Sequence, residues 1–183
     1  KQKALKINLN ENIYGTFAEI GAGQETVRQF FRVGGASGTI AKSLSAYDKD
    51  FSDAIYGIED DKRYVTQDRL KKMLVQETNL IEERVGRKKH PNKMFFCYAN
   101  TVATIDFAKK FKGHGWVGIR FQINPNDDYN EIILHVRFKE NIARQQQETL
   151  GVLGTNLIYG AFYKYHRPKK IIKYLYDILE KDQ

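Results

Sequence analysis

Hydrophobic positions recur along this chain with two different periods. The cleanest two-residue alternation lies past the midpoint: Val117, Ile119, Phe121 and Ile123, then Ile132, Leu134, Val136 and Phe138. Alternation of this kind puts one row of side chains on a buried face. Residues 124–129 (NPNDDY) supply turn formers between the two runs, so the pattern predicts an antiparallel hairpin. A tight turn centred on Asp127-Asp128 sets Phe121 opposite Leu134 and Arg120 opposite His135. Residues 94–105 are apolar and β-prone, with Phe95, Phe96, Tyr98 and Val102, and read as further strand. Near the front, residues 3–9 alternate weakly and read as a short strand. Residues 13–20 read as a second strand, interrupted at Gly15.

Elsewhere the period is helical. Residues 66–85 carry Leu70, Met73, Leu74, Leu80, Ile81 and Val85 in one stripe, with Thr66 as the cap and Gly86 as the stop. Shorter helices are predicted after Gly23, with Val27, Phe30 and Phe31 inward and Gly34-Gly35 ending it, and over 51–56, ended by Gly57. Residues 38–46 carry both signals: the spacing of Ile40 and Leu44 fits a helix, while Thr39, Ser43 and Ser45 oppose one. A long helix from a cap at Asn141 to about residue 163 has Ile142, Leu150, Leu153, Leu157, Ala161 and Phe162 in its stripe. Gly151 and Gly154 lie on an adjoining face. Each glycine costs a helix interior about 1 kcal/mol, so the pair predicts either a close crossing by another backbone or a break. Pro168 opens a last helix carrying Ile171, Ile172, Leu175, Ile178 and Leu179. The expectation is one α+β domain over 1–183, a mixed or antiparallel sheet with a β-hairpin in its C-terminal half, packed against several helices.

Composition narrows the function classes. Thirty basic against twenty-two acidic residues leave a formal charge of +8, which favours anionic partners, either a small molecule or nucleic acid. Cys97 is the single cysteine. That excludes an intrachain disulfide and a thiolate-rich metal site, and suits a reducing, cytoplasmic setting. Its apolar neighbours mark it as a core residue. No apolar run approaches the length of a membrane span. His90, His114, His135 and His166 are far apart in sequence and show no metal-ligand spacing; no metal site is expected, and no cofactor is indicated. The chain opens on Lys1 and ends on Lys181-Asp182-Gln183 amid helix-like sequence. It therefore reads as a domain excised from a longer protein, with the remainder of that parent as a partner. The oligomeric state is open.

Residues 20–47 are the densest in small and polar side chains. Gly21 and Gly23 fall between a strand and a helix start, where exposed amides suit an anion, with Arg28 nearby. Thr26 stands where a dinucleotide fingerprint needs its third glycine, and Glu25 would cap the same amides. Gly34, Gly35, Ser37, Gly38, Thr39, Lys42 and Ser43 form a second cluster of amides, hydroxyls and an ammonium. It is not a Walker A loop, since Lys42 is four residues past Gly38. The outer face of the hairpin carries Trp116, Arg120, Gln122, Ile133, His135 and Arg137. Glu77 falls in the middle of an apolar stripe, where a carboxylate must be paired, protonated or facing a cavity. Glu25, Glu77 and His135 are the acid–base candidates. These residues lead to an expected function: binding of a nucleotide or other phosphorylated ligand through the glycine-rich segments, as part of a larger enzyme, with no reaction derivable. One alternative is a nucleic-acid-binding or assembly module using Lys88, Lys89, Arg137, Arg167, Lys169 and Lys170. The other is a structural subdomain without its own ligand.

Overall fold

The computed structural model describes residues 1–180. Helix α1 (Gln2–Asn8) leads into strand β1 (Ile13–Gly21), then α2 (Glu25–Phe31), a single 3-10 turn, β2 (Ile40–Ala46), α3 (Lys49–Tyr56), α4 (Gln67–Arg84) and a one-turn α5 (Gly86–Lys89). Strands β3 (Met94–Ala103), β4 (His114–Phe121) and β5 (Asn130–Arg137) follow, then α6 (Ala143–Tyr163) and α7 (Pro168–Leu175). The five strands form one open sheet in the order β2-β1-β3-β4-β5. β1 runs parallel to β2 and β3, while β3, β4 and β5 are successively antiparallel. The sheet is therefore mixed, and the fold is α+β as the sequence predicts.

Helices cover both faces. On one face Phe17, Phe96, Tyr98, Val117, Ile119 and Phe121 meet α1, α2 and α6 through Ala4, Ile7, Val27, Phe30, Leu150, Leu157 and Ala161. On the other, Ala18, Ile20, Cys97 and Ala99 meet α3 and α4 through Tyr56, Leu70, Met73 and Leu74. With both faces buried, β1 and β3 lose the alternation expected of a one-sided strand, and β3 is buried over its whole interior. Thr66 caps α4 as expected, its side chain accepting from the Arg69 N–H at 3.1 Å. Gly34 and Gly35 end α2 with φ of 81° and 71°, the left-handed region that glycine enters without strain.

The two glycines of α6 report the crossing. A Cβ on Gly151 would stand 2.9 Å from Glu25 Cβ, and one on Gly154 would collide with the Thr26 and Tyr98 side chains. α2 lies directly on α6 at this point, and the helix is unbroken.

Three expectations are corrected, and one reading left open is decided. Residues 3–9 belong to a helix, because Ala4 and Ile7, three apart, both turn into the core beside Asn8. Residues 40–46 are an edge strand. Ile40 and Leu44 are four apart, a spacing that shares a face in helix and strand alike, and pairing with β1 decided between them. The β4–β5 register differs by four residues: Phe121 faces Asn130, Val117 faces Leu134, and Arg120 faces Glu131. The even shift keeps both apolar rows on the core face, so pattern alone did not separate the two registers. Asn141 does not cap α6. Ile142 is the N-cap and makes no side-chain cap, while Gln146 bonds Glu140 O at 2.7 Å and accepts from Ile105 N at 2.8 Å.

Candidate functional site

A polar row crosses three strands at the carboxyl ends of the parallel pair. Ser45 on β2, Glu19 on β1 and Asn100 on β3 are register partners, all on the sheet face that α2 and α6 cover. Ser45 is exposed at the edge; Glu19 and Asn100 are only 2% and 0% exposed. This is the position where open sheets with parallel strands accept ligands, because helix and loop connections part there on either side of a strand end.

Burial raises the Glu19 carboxyl from its ordinary 4.5 to about 8; the Val27 backbone N–H opposes the rise and nearby Glu25 adds to it. At neutral pH Glu19 is therefore mainly a neutral acid able to donate. Its Oε1 has no hydrogen-bond partner, and neither has Asn100 Oδ1. The rest of the shell is satisfied: Asn100 Nδ2 donates to Gly23 O at 3.1 Å, and Thr26 Oγ1 lies 2.9 Å from Tyr98 OH. Gly23 is glycine for lack of room, since a Cβ there would collide with the Asn100 amide. Gln24 closes the rim, its Nε2 donating to Ser45 Oγ at 2.9 Å and to Gly21 O. Two unpartnered oxygens side by side are costly in a protein interior. A group that accepts from the protonated Glu19 carboxyl and donates to Asn100 Oδ1 would relieve both.

The sequence candidates are dispersed. Gly34, Gly35, Ser37 and Gly38 are exposed and precede β2, at the amino end of the parallel strands, opposite the polar row. Asn8 holds this turn by donating to Gly34 O at 2.7 Å and Phe30 O at 2.9 Å, and Thr39 Oγ1 donates to Asn8 O at 3.0 Å. Lys42 points to the other face and pairs with Glu77, which also accepts from Tyr56 OH at 2.9 Å; Ser43 is exposed on β2. The buried carboxylate at 77 is thus explained as a paired one, beside a cleft of about 240 Å³ lined by Thr16, Lys42, Leu80, Ile81 and Arg84. Arg28 binds Glu25 at 2.7 Å. Arg120 lies over the Tyr129 ring. His135 stacks on Trp116, centroids 4.5 Å apart, and its Nε2 is 3.3 Å from His114 Nδ1. Burial, then His135 and Arg137, lowers the pKa of His114. Gln122 turns inward, donating to Asp127 O and accepting from Phe95 N and Arg87. The basic residues sit on separate elements: Lys88 and Lys89 on α5, Arg137 on β5, and Arg167, Lys169 and Lys170 at the start of α7.

Sequence reasoning missed Glu19, Asn100 and Arg69. The first two left a signal. Glu19 shares strand parity with Phe17, and Asn100 with Phe96 and Tyr98, so each is a polar residue assigned by period to the core. Arg69 left none, being adjacent to the stripe residue Leu70. It is fully buried, paired with Asp53 at 3.0 Å and Glu59 at 2.9 Å, and donates to Gly57 O at 2.8 Å. That cluster ties α3 and the following loop to α4.

No protein-family model and no curated protein matches the chain. Solved structures do. Competence/damage inducible protein CihA from Agrobacterium tumefaciens is similar at 14% identity and a TM-score of 0.53, over 84% of this chain and 88% of that one. A competence or damage-inducible protein from Enterobacter asburiae is similar at 10% identity and a TM-score of 0.60, over 87% and 94%. The competence damage-inducible protein A from Klebsiella pneumoniae has 6% identity and a TM-score of 0.60, over 91% and 94%. The expected function is corrected here: the neighbours are described by competence and damage induction, not by nucleotide binding. The geometry agrees on the phosphorylated ligand: the glycine segments lie at opposite ends of β1 and β2, Lys42 is turned to the far face, and Glu19 and Glu25 occupy the strand end. Among the described residues no helix is long and apolar enough to cross a membrane. The chain has the fold of the bacterial competence/damage-inducible proteins.

Proposed function

We propose that this domain binds a small, neutral, donor-rich molecule, of the carboxamide or polyol kind, at the carboxyl ends of β1 and β3. The observation that carries the reading is the pair of unpartnered oxygens, Glu19 Oε1 and Asn100 Oδ1, side by side in the buried row. The protonated Glu19 supplies a donor, Asn100 Oδ1 an acceptor, and Gln24 and Ser45 form the rim through which a ligand enters. A hydrogen-bonding site of this kind discriminates strongly against analogues lacking the matching group, because its own buried atoms are then left unpaired. Glu19 and Glu25 favour a ligand without negative charge. Acetamide, glycerol and inorganic phosphate are suitable probes in a thermal-shift titration. Acetamide or glycerol is expected to raise the Tm of the wild type and not of Asn100→Ala; phosphate is expected to do nothing at constant ionic strength. Equal responses of wild type and variant to every probe would sink the reading. A cytoplasmic setting is part of this proposal, supported by the use of a single cysteine, Cys97, which is buried. By analogy with the neighbours' descriptions, abundance of the protein is expected to rise under competence or damage.

A further inference from the structure

The two edges of the sheet are built differently. The β2 edge carries a register irregularity against β1 at Gly15/Thr16 and has Lys42 at mid-strand, both devices that discourage another strand from adding. β5 has neither. It is eight residues long, contains no proline, and pairs with β4 in one unbroken register.

The hydrogen-bonding direction along β5 is fixed by its neighbour. Phe138 N–H donates to Gly113 O, continuing the ladder in which 136 faces 115 and 134 faces 117. Hydrogen-bonded pairs alternate in an antiparallel ladder. Residues 130, 132, 134 and 136 therefore turn their backbone groups to β4, and Glu131, Ile133, His135 and Arg137 turn theirs to the free edge. Phase requires that these odd residues pair with odd residues of any incoming antiparallel strand.

A second copy of β5 meets that requirement. With a two-fold axis at Leu134, Glu131 faces Arg137 of the second copy and Ile133 faces its His135. On the core side, Ile132 faces Val136 and Leu134 faces Leu134. Each apolar residue of the core-side row meets another apolar residue, and the two opposite charges at the strand ends meet twice. Glu131, His135 and Arg137 are exposed, while Ile132, Leu134 and Val136 remain half-buried although they pack on the main core. Shifting the axis by one residue along the strand keeps the hydrogen-bond phase but separates the charges.

We infer that this chain forms a two-fold dimer by antiparallel β5–β5 pairing, centred on Leu134, that joins the two sheets into one. About eight inter-chain backbone hydrogen bonds close the edge. The Glu131–Arg137 pairs select the register, since opposite charges directly across an antiparallel pair stabilise and like charges destabilise it. This dimer does not depend on the ligand site, which lies on β1 and β3.

Sedimentation velocity tests it with four proteins. Wild type is expected to be a dimer at micromolar concentration. Glu131→Arg and Arg137→Glu each put like charges opposite each other twice, and each is expected to weaken dimerisation on the order of tenfold or more. The double variant E131R/R137E restores both pairs with reversed polarity and is expected to recover the dimer. Register is read separately by Leu134→Cys. Directly opposed residues that are not hydrogen-bonded have Cα atoms about 4.5 Å apart, within disulfide reach, so this variant is expected to cross-link to itself under mild oxidation. Cys97 is buried and leaves the wild type uncross-linked. A monomeric wild type, a dimer indifferent to both single reversals, or no recovery in a folded double variant would each overturn the inference. Circular dichroism of each variant identifies any that fail to fold, and Leu134→Cys then decides alone.

Discussion

Replacing Glu19 by glutamine tests the protonated acid at the centre of the polar row. The folded carboxyl titrates near 8, against an ordinary 4.5. Between those values the folded protein holds a proton that the unfolded chain has released, so stability falls as pH rises. The contribution is fully present below about 4.5 and fully lost above about 8. In mid-window the slope is about 1.4 kcal/mol per pH unit, and the whole window is worth on the order of 4–5 kcal/mol. Glutamine is nearly isosteric and uncharged, and its amide can donate towards Asn100 Oδ1. Urea unfolding at pH 5, 6, 7, 8 and 9 measures the comparison. The two proteins are expected to be similar near pH 5 and to diverge steadily, Glu19→Gln being several kcal/mol more stable than wild type at pH 9. Parallel stability profiles would refute the reasoning, because they would mean that Glu19 titrates alike in both states and is not held neutral by burial.

Gly154→Ala forces a methyl into Thr26 and Tyr98 and is expected to cost about 1–3 kcal/mol in thermal or urea unfolding. Gly38→Ala, where nothing lies within 4 Å, is expected to stay within about 0.5 kcal/mol of wild type. Arg69→Met leaves the Asp53 and Glu59 carboxylates without their buried partner and is expected to cost about 3–5 kcal/mol. Lys42→Met strands the buried Glu77 carboxylate and is expected to cost about 1–3 kcal/mol, much of it recovered when Glu77→Leu is added; a double-mutant cycle measures the coupling.

The sequence by itself determined the local elements whose pattern has one reading. The stripe from Leu70 to Ile81, capped by Thr66, reads as a helix in the sequence and is one in the fold, because the apolar period and the cap agree. Gly151 and Gly154 announced either a close crossing or a break, and the packing of α2 on an unbroken α6 decided for the crossing. Strand parity already assigned the core rows of β4 and β5. Tertiary structure decided the choices that local pattern leaves degenerate. Ile40 and Leu44 share a face in either a helix or a strand, and only the place beside β1 made residues 40–46 a strand. The hairpin register kept its apolar rows under an even shift, so the loop and packing set it. The candidate site turned on the same difference. Gly34 to Ser43 are conspicuous in the sequence because they are small and polar, yet they lie at the amino end of the sheet and Lys42 faces away from them. Glu19 and Asn100 are eighty-one positions apart, and only parallel pairing of β1 with β3 places them side by side. Local chemistry is written residue by residue, whereas a site of this kind exists only where strands distant in sequence end together.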